Sequence, residues 1–147
     1  MNTIKNILRI STLIFVTTLS VFAVQADQYD LPAVGGYDLI SYHQESGPVR
    51  GTGFHATQYK GVTYLFANEE NKATFLSAPE KFLPAYNGYC AYGLALGQKF
   101  NSNPVVYSII DDTLYLNLNT DIQNEWSADV EGNIRKGDAN WESIQKI

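Results

Sequence analysis

The chain has 147 residues, 45% of them hydrophobic, with ten basic against fifteen acidic side chains and a net charge of −5 at neutral pH. That balance supplies no basic patch for nucleic acid or an anionic lipid surface. Its single cysteine excludes an internal disulfide, and also an iron–sulfur cluster built by one chain, which takes about four cysteines.

The first residues read as an export signal. Lys5 and Arg9 form a positive front, Ile10 to Val24 is a mostly apolar stretch of 15 residues, and Val24-Gln25-Ala26 offers small residues where a signal peptidase cuts. A membrane span needs roughly 20 apolar residues, so the expectation is a cleaved signal over 1–26, no lasting membrane anchor, and a periplasmic or secreted product. An uncleaved anchor is the alternative. The remaining 121 residues, 27–147, suffice for one domain with one core. Losing two basic residues leaves that domain at −7, with all ten tyrosines and both tryptophans retained.

Within the domain no repeat, low-complexity tract or linker stands out. "GGYDLISYH" (36 onward in "GYD") reads as a turn into a brief helix or strand. "GFHATQYKGVTYLFA" reads as a β-hairpin turning at Lys60-Gly61, with Tyr59 opposite Val62, Thr57 opposite Tyr64 and His55 opposite Phe66. Those six side chains would share one face. "NEENKATFLSA" predicts a helix capped by Asn68, and Pro79 opens a short turn that Pro84 stops. Asn87 is expected to cap a helix running to about Gly97, with Cys90 as its third residue. "VVYSIIDDTLYLNLN" predicts a second hairpin at Asp111-Asp112, pairing Ile109 with Leu114, Tyr107 with Leu116 and Val105 with Leu118, while Ser108, Thr113 and Asn117 take the other face. Thr120 and Gln123 have capping-box spacing, and "GDANWESIQKI" predicts a last helical piece anchored by Trp141. The fold class is α+β: two antiparallel β-hairpins packed with several short helices.

Tyr59-x-Gly61-x-x-Tyr64-x-Phe66, followed by Phe75 and Pro79-x-x-Phe82, resembles the YHS domain family. "GYD", "GYCAYGLALGQK", "LYLN" and "DANW" are similar to its exported single-domain members, over nearly all of Gly36 to Trp141. The resemblance implies metal handling, since such domains accompany heavy-metal transporters. Metal-binding relatives place a cysteine just after the second strand and another four residues later. Ala67 and Asn71 stand there in this chain, so other residues must hold any ion.

The candidate ligands are Cys90, His55 and His43. A thiolate at a helix start is favoured by unpaired backbone N–H groups, and a thiolate with imidazoles suits copper or another soft metal ion. The competing reading packs Cys90 inward with Leu94 and Gly97. His55 is expected to point inward beside Tyr64 and Phe66, and His43 stands where relatives carry an aromatic residue. The leading expectation is therefore an exported soft-metal accessory factor, not an enzyme, with a metal ion or small molecule as its partner. A homodimer joined through Cys90 is a further expectation, and a Cys–His thiol enzyme or redox sensor is another. The alternative from a different class is a non-metal small-molecule or protein interaction module, using Tyr37, Tyr42, Tyr86, Tyr89 and Tyr92 around the glycine-rich segments. Mass spectrometry of the protein recovered from an exporting host is expected to give Asp27 as the first residue; a product still beginning at Met1 refutes cleavage.

Overall fold

Two tight turns decide where the strands form. In the computed structural model, which describes residues 33–145, Lys60 and Gly61 have φ of 50° and 79°, and Asp111 and Asp112 have φ of 48° and 62°. Two consecutive left-handed residues give the connection whose twist matches that of paired strands. Strands β1 (Thr52–Tyr59) and β2 (Val62–Phe66) flank the first turn, and β3 (Asn103–Ile110) and β4 (Thr113–Asn117) flank the second. Each hairpin is its own antiparallel two-stranded sheet. Among the described residues five α-helices complete the α+β fold: α1 (Glu69–Ser77), α2 (Pro79–Phe82), α3 (Ala91–Ala95), α4 (Thr120–Ser127) and α5 (Val130–Ile144). Among the described residues no helix is long and apolar enough to cross a membrane, and the export signal lies outside them.

Near each turn the expected register holds, and farther out it slips. Tyr59 pairs with Val62 and Thr57 with Tyr64, but a bulge between Thr52 and Ala56 brings Thr52, not His55, opposite Phe66. Likewise Ile109 pairs with Leu114 and Tyr107 with Leu116, whereas a bulge before Tyr107 sets Asn103 opposite Asn117 in place of the Val105–Leu118 pair. Three extra residues enter the longer strand each time, and period-two alternation cannot carry a register past them.

Three helix starts also differ from expectation. Asn119, not Thr120, caps α4 by accepting from the Ile122 N–H at 2.9 Å, while the Gln123 amide reaches across to the Tyr107 carbonyl at 2.6 Å. Asn87 caps nothing: Ala85–Gly88 is a 3₁₀ turn with Asn87 at φ 53°, and α3 begins only after Cys90. A β-bridge from Cys90 to Leu116 holds that residue extended, which delays the helix. The last helix begins at Val130, capped by Asp129, well before Gly137. Gly137 belongs inside it because a Cβ there would lie 2.6 Å from the Tyr86 hydroxyl.

The two hairpin units are the same unit twice. β1 and β3 begin fifty-one residues apart, and their turns, bulges and the Asn-capped helices α1 and α4 keep that spacing. Tyr64 packs on Phe75 at 5.1 Å and 33°, and Tyr115 packs on Trp126, each fifty-one residues on, at 5.3 Å and 34°. A repeated sequence precedes each unit, LPAVGGYD over 31–38 and LPAYNGYC over 83–90, and its described part turns the chain in both copies. In both, the Tyr N–H bonds back at 3.1 Å (Tyr37 to Val34, Tyr89 to Tyr86), and the next N–H bonds forward at 2.9 Å (Asp38 to Val49, Cys90 to Phe100). The chain therefore does contain a repeat. Few positions keep their residue type, and a role such as "aromatic on the helix" passes from Phe to Trp, so the sequence hides it.

β4 lies where the two units meet. Leu114 and Leu116 join one apolar core with Leu39, Tyr64, Phe66 and Phe75, while Tyr115 joins a second with Tyr86, Ala91, Leu94 and Trp126. Both faces of the strand are buried, so Asn117, expected on the polar side, is sealed.

In the first unit a fully buried carboxylate fixes the loop to the hairpin. Asp38 accepts from Ile40 N at 2.9 Å, Ala67 N at 2.9 Å and Asn71 Nδ2 at 2.7 Å, and Asn71 Oδ1 accepts from Gln44 at 3.2 Å. Ala67 and Asn71 thus close over an aspartate. Removing that acceptor orphans three buried donors at about 1–3 kcal/mol each before relaxation. Asp38→Ala is expected to lower unfolding stability by about 3 kcal/mol or more, with Asn71→Ala costing less, as urea denaturation followed by circular dichroism would show.

Candidate functional site

The repeated turns hold strained backbone. Val34 has φ 49°, Tyr86 57° and Asn87 53°. A β-branched residue in the left-handed region is a genuine outlier, bulky Tyr86 is another in the equivalent turn, and Asn87 after it is of a type that tolerates the conformation. Tyr86 is held there by burial and by donating to Asp138 Oδ1 at 3.0 Å, and burial and that carboxylate push its phenol pKa upward. Gly88, with φ 81°, follows and takes the conformation without a side-chain penalty.

These turns face one another across two adjoining clefts that share Val34 and Asn87. The larger, about 360 Å³, is lined also by Gly35, Gly88, Tyr89, Asn101, Ser102 and Pro104. Its polar lining is neutral: two primary amides, a phenol and a hydroxyl, of which Ser102 donates to the Gly88 carbonyl at 2.6 Å. The second, about 270 Å³, is more apolar, with Val62, Leu83 and Pro84, and Lys60 at its edge held by Glu80 at 2.5 Å. The two glycine-rich segments singled out in the sequence do come together.

Of the five tyrosines named with them, Tyr89 lines the larger cleft, with Lys99 Nζ 5.0 Å from its ring centroid. Tyr42 and Tyr86 are core residues, and the Tyr42 hydroxyl donates to the Pro104 carbonyl at 2.8 Å. Tyr37 is half-buried beneath Arg50, and Tyr92 belongs to a different pocket, the one over Cys90.

The proposed metal ligands have separate neighbourhoods. Cys90 is 1% exposed; its own N–H is taken by the Phe100 carbonyl, and its Sγ lies 3.6 Å from Asn117 Oδ1. The expected site at an open helix start is therefore corrected: the thiol is a buried group preceding a five-residue helix. His55 is displaced from its inward pairing by the β1 bulge and meets exposed Glu69 at 3.2 Å. That hydrogen bond holds the Glu69 carboxyl below its ordinary range. His43 lies edge-on to Phe82 at 5.7 Å, and its buried Nε2 has no partner among the described residues. It serves there as an aromatic ring. Among the described residues no three His, Cys, Asp or Glu side chains gather into a group able to hold a metal ion.

No family model, curated protein or solved structure matches this chain. The YHS resemblance rests on its motifs alone.

Burial lowers the His43 pKa from its ordinary 6.5, outweighing Asp112, while Lys81 adds to the lowering. A group whose folded pKa is depressed favours the neutral form, so protonation draws the chain toward the unfolded state. Stability should be full above pH 6.5 and fall as pH drops from there through the folded value. His43→Phe is expected to flatten that fall, leaving only the more acidic carboxylate transitions; thermal melts from pH 7.5 to 5 measure it.

Proposed function

We propose that this chain is an exported, non-catalytic binding module whose ligand is a small, neutral organic molecule held in the cleft between the two repeated turns. The single observation carrying this reading is that strained, non-glycine backbone from both repeats converges on one pair of clefts. Unfavourable conformations persist where surrounding structure enforces them, and they concentrate at binding sites. The lining favours an uncharged ligand. It offers donors and acceptors from Asn87, Asn101 and Tyr89 beside apolar Val34 and Pro104, and none of the residues lining it is charged. A soft-metal role would instead need the buried Cys90 thiol and an imidazole to meet.

The test is a fragment screen on residues 27–147 followed by amide chemical shifts. Neutral fragments bearing hydroxyl or amide groups are expected to move the signals of Gly35, Gly88 and Asn101. Val34→Gly removes both a lining side chain and its left-handed strain. It should weaken fragment binding about tenfold or more. No shifts at those residues with any fragment would overturn the reading. So would a copper(I) titration under a competing chelator that finds tight binding lost in Cys90→Ser.

A further inference from the structure

The two clefts between the repeated turns share Val34 and Asn87, so whatever fills one abuts the other. Their linings differ in kind. In the larger, Asn87, Asn101, Ser102 and Tyr89 present amides and hydroxyls. Such groups supply donors and acceptors together, and a ligand hydroxyl, which also does both, answers them. In the smaller, Val62, Leu83 and Pro84 are apolar, and one cation stands at the edge. That cation is already matched: Lys60 Nζ lies 2.5 Å from Glu80 Oε1, and the Tyr59 hydroxyl donates to the same oxygen at 2.6 Å.

A second observation lies inside the smaller cleft. Tyr64 lines it and is 8% exposed, with its ring packed on Phe75 at 5.1 Å. Burial is the main cause that raises its phenol pKa, and no hydrogen bond contributes. The buried side-chain polar atoms left without a partner are His43 Nε2, Asn117 Nδ2 and Trp126 Nε1, so the Tyr64 hydroxyl, unbonded among the described residues, is not sealed. It is a donor without an acceptor, at the wall of an accessible space.

We propose that one uncharged molecule spans both clefts, with a hydroxyl-bearing head in the larger and, joined past Asn87, an apolar ring in the smaller whose hydrogen-bond acceptor meets Tyr64. This names the ligand class for the binding reading above and rests on it. A cavity of about 150 Å³ holds benzene. The smaller cleft, about 270 Å³, therefore admits a ring with a substituent.

Aryl glucosides have this form and serve as probes of the wild-type protein. Methyl β-D-glucoside is expected to move the amide signals of Gly88 and Asn101 but not those of Val62 and Leu83. Phenyl β-D-glucoside should move all four and bind about tenfold more tightly, through burial of the ring. The 4-acetylphenyl glucoside should gain about fivefold again, the worth of one neutral hydrogen bond, and Tyr64→Phe should erase that second gain. Should this variant fold poorly, the order of the three wild-type affinities decides. Equal affinities for the methyl and phenyl compounds, or an acetyl gain that is absent or survives Tyr64→Phe, would overturn the proposal, while shifts at Gly88 and Asn101 keep the binding reading. Silence at Gly35, Gly88 and Asn101 with every neutral fragment is the separate result that defeats the binding reading itself.

Discussion

Everything else in this fold depends on β4 being buried on both faces. A strand of five residues sends Leu114 and Leu116 into one core and Tyr115 into the other, so the two repeated units share a wall. Each sheet alone is a two-stranded hairpin, which by itself is marginal in water. Shared burial makes the pair a domain. It also explains why β4 tolerates no solvent-facing residue: Asn117, which would be the polar member of an ordinary amphipathic strand, is drawn inside and used to hold Cys90 and Tyr92.

The two units place different chemistry at equivalent positions. The first unit spends its equivalent position on a carboxylate satisfied by three donors, a closed polar knot that locks loop to sheet. The second unit puts a thiol there, replaces the closing polar residue with Ile122, and adds α5 behind α3, where Asn140 Nδ2 donates to the Leu94 carbonyl at 2.8 Å. One copy is a structural clamp and the other an open pocket. Between them the paired turns carry their strain into a cleft, because residues from both units enforce a backbone that none of them would adopt alone.

The histidines illustrate how environment overrides residue type. His43 is an aromatic filler against Phe82, and burial depresses its pKa. His55 is a surface group held by Glu69. Both are placed by elements that began as turn chemistry: the first by the 3₁₀ turn after Asp38, the second by a bulge in β1.

Local chemistry in the sequence determined both hairpin turns, the Asn68 cap, the Pro79 helix start and the α+β class. These follow from φ preferences and short-range hydrogen bonds, which neighbours in sequence settle among themselves. Tertiary structure alone decided the bulged registers, the late start of α3, the meeting of the two glycine-bearing segments, the repeat, and the burial of Cys90 and Asn117. Each of these depends on a partner about fifteen to fifty residues away, and a side chain's surroundings, unlike its turn propensity, are not written beside it.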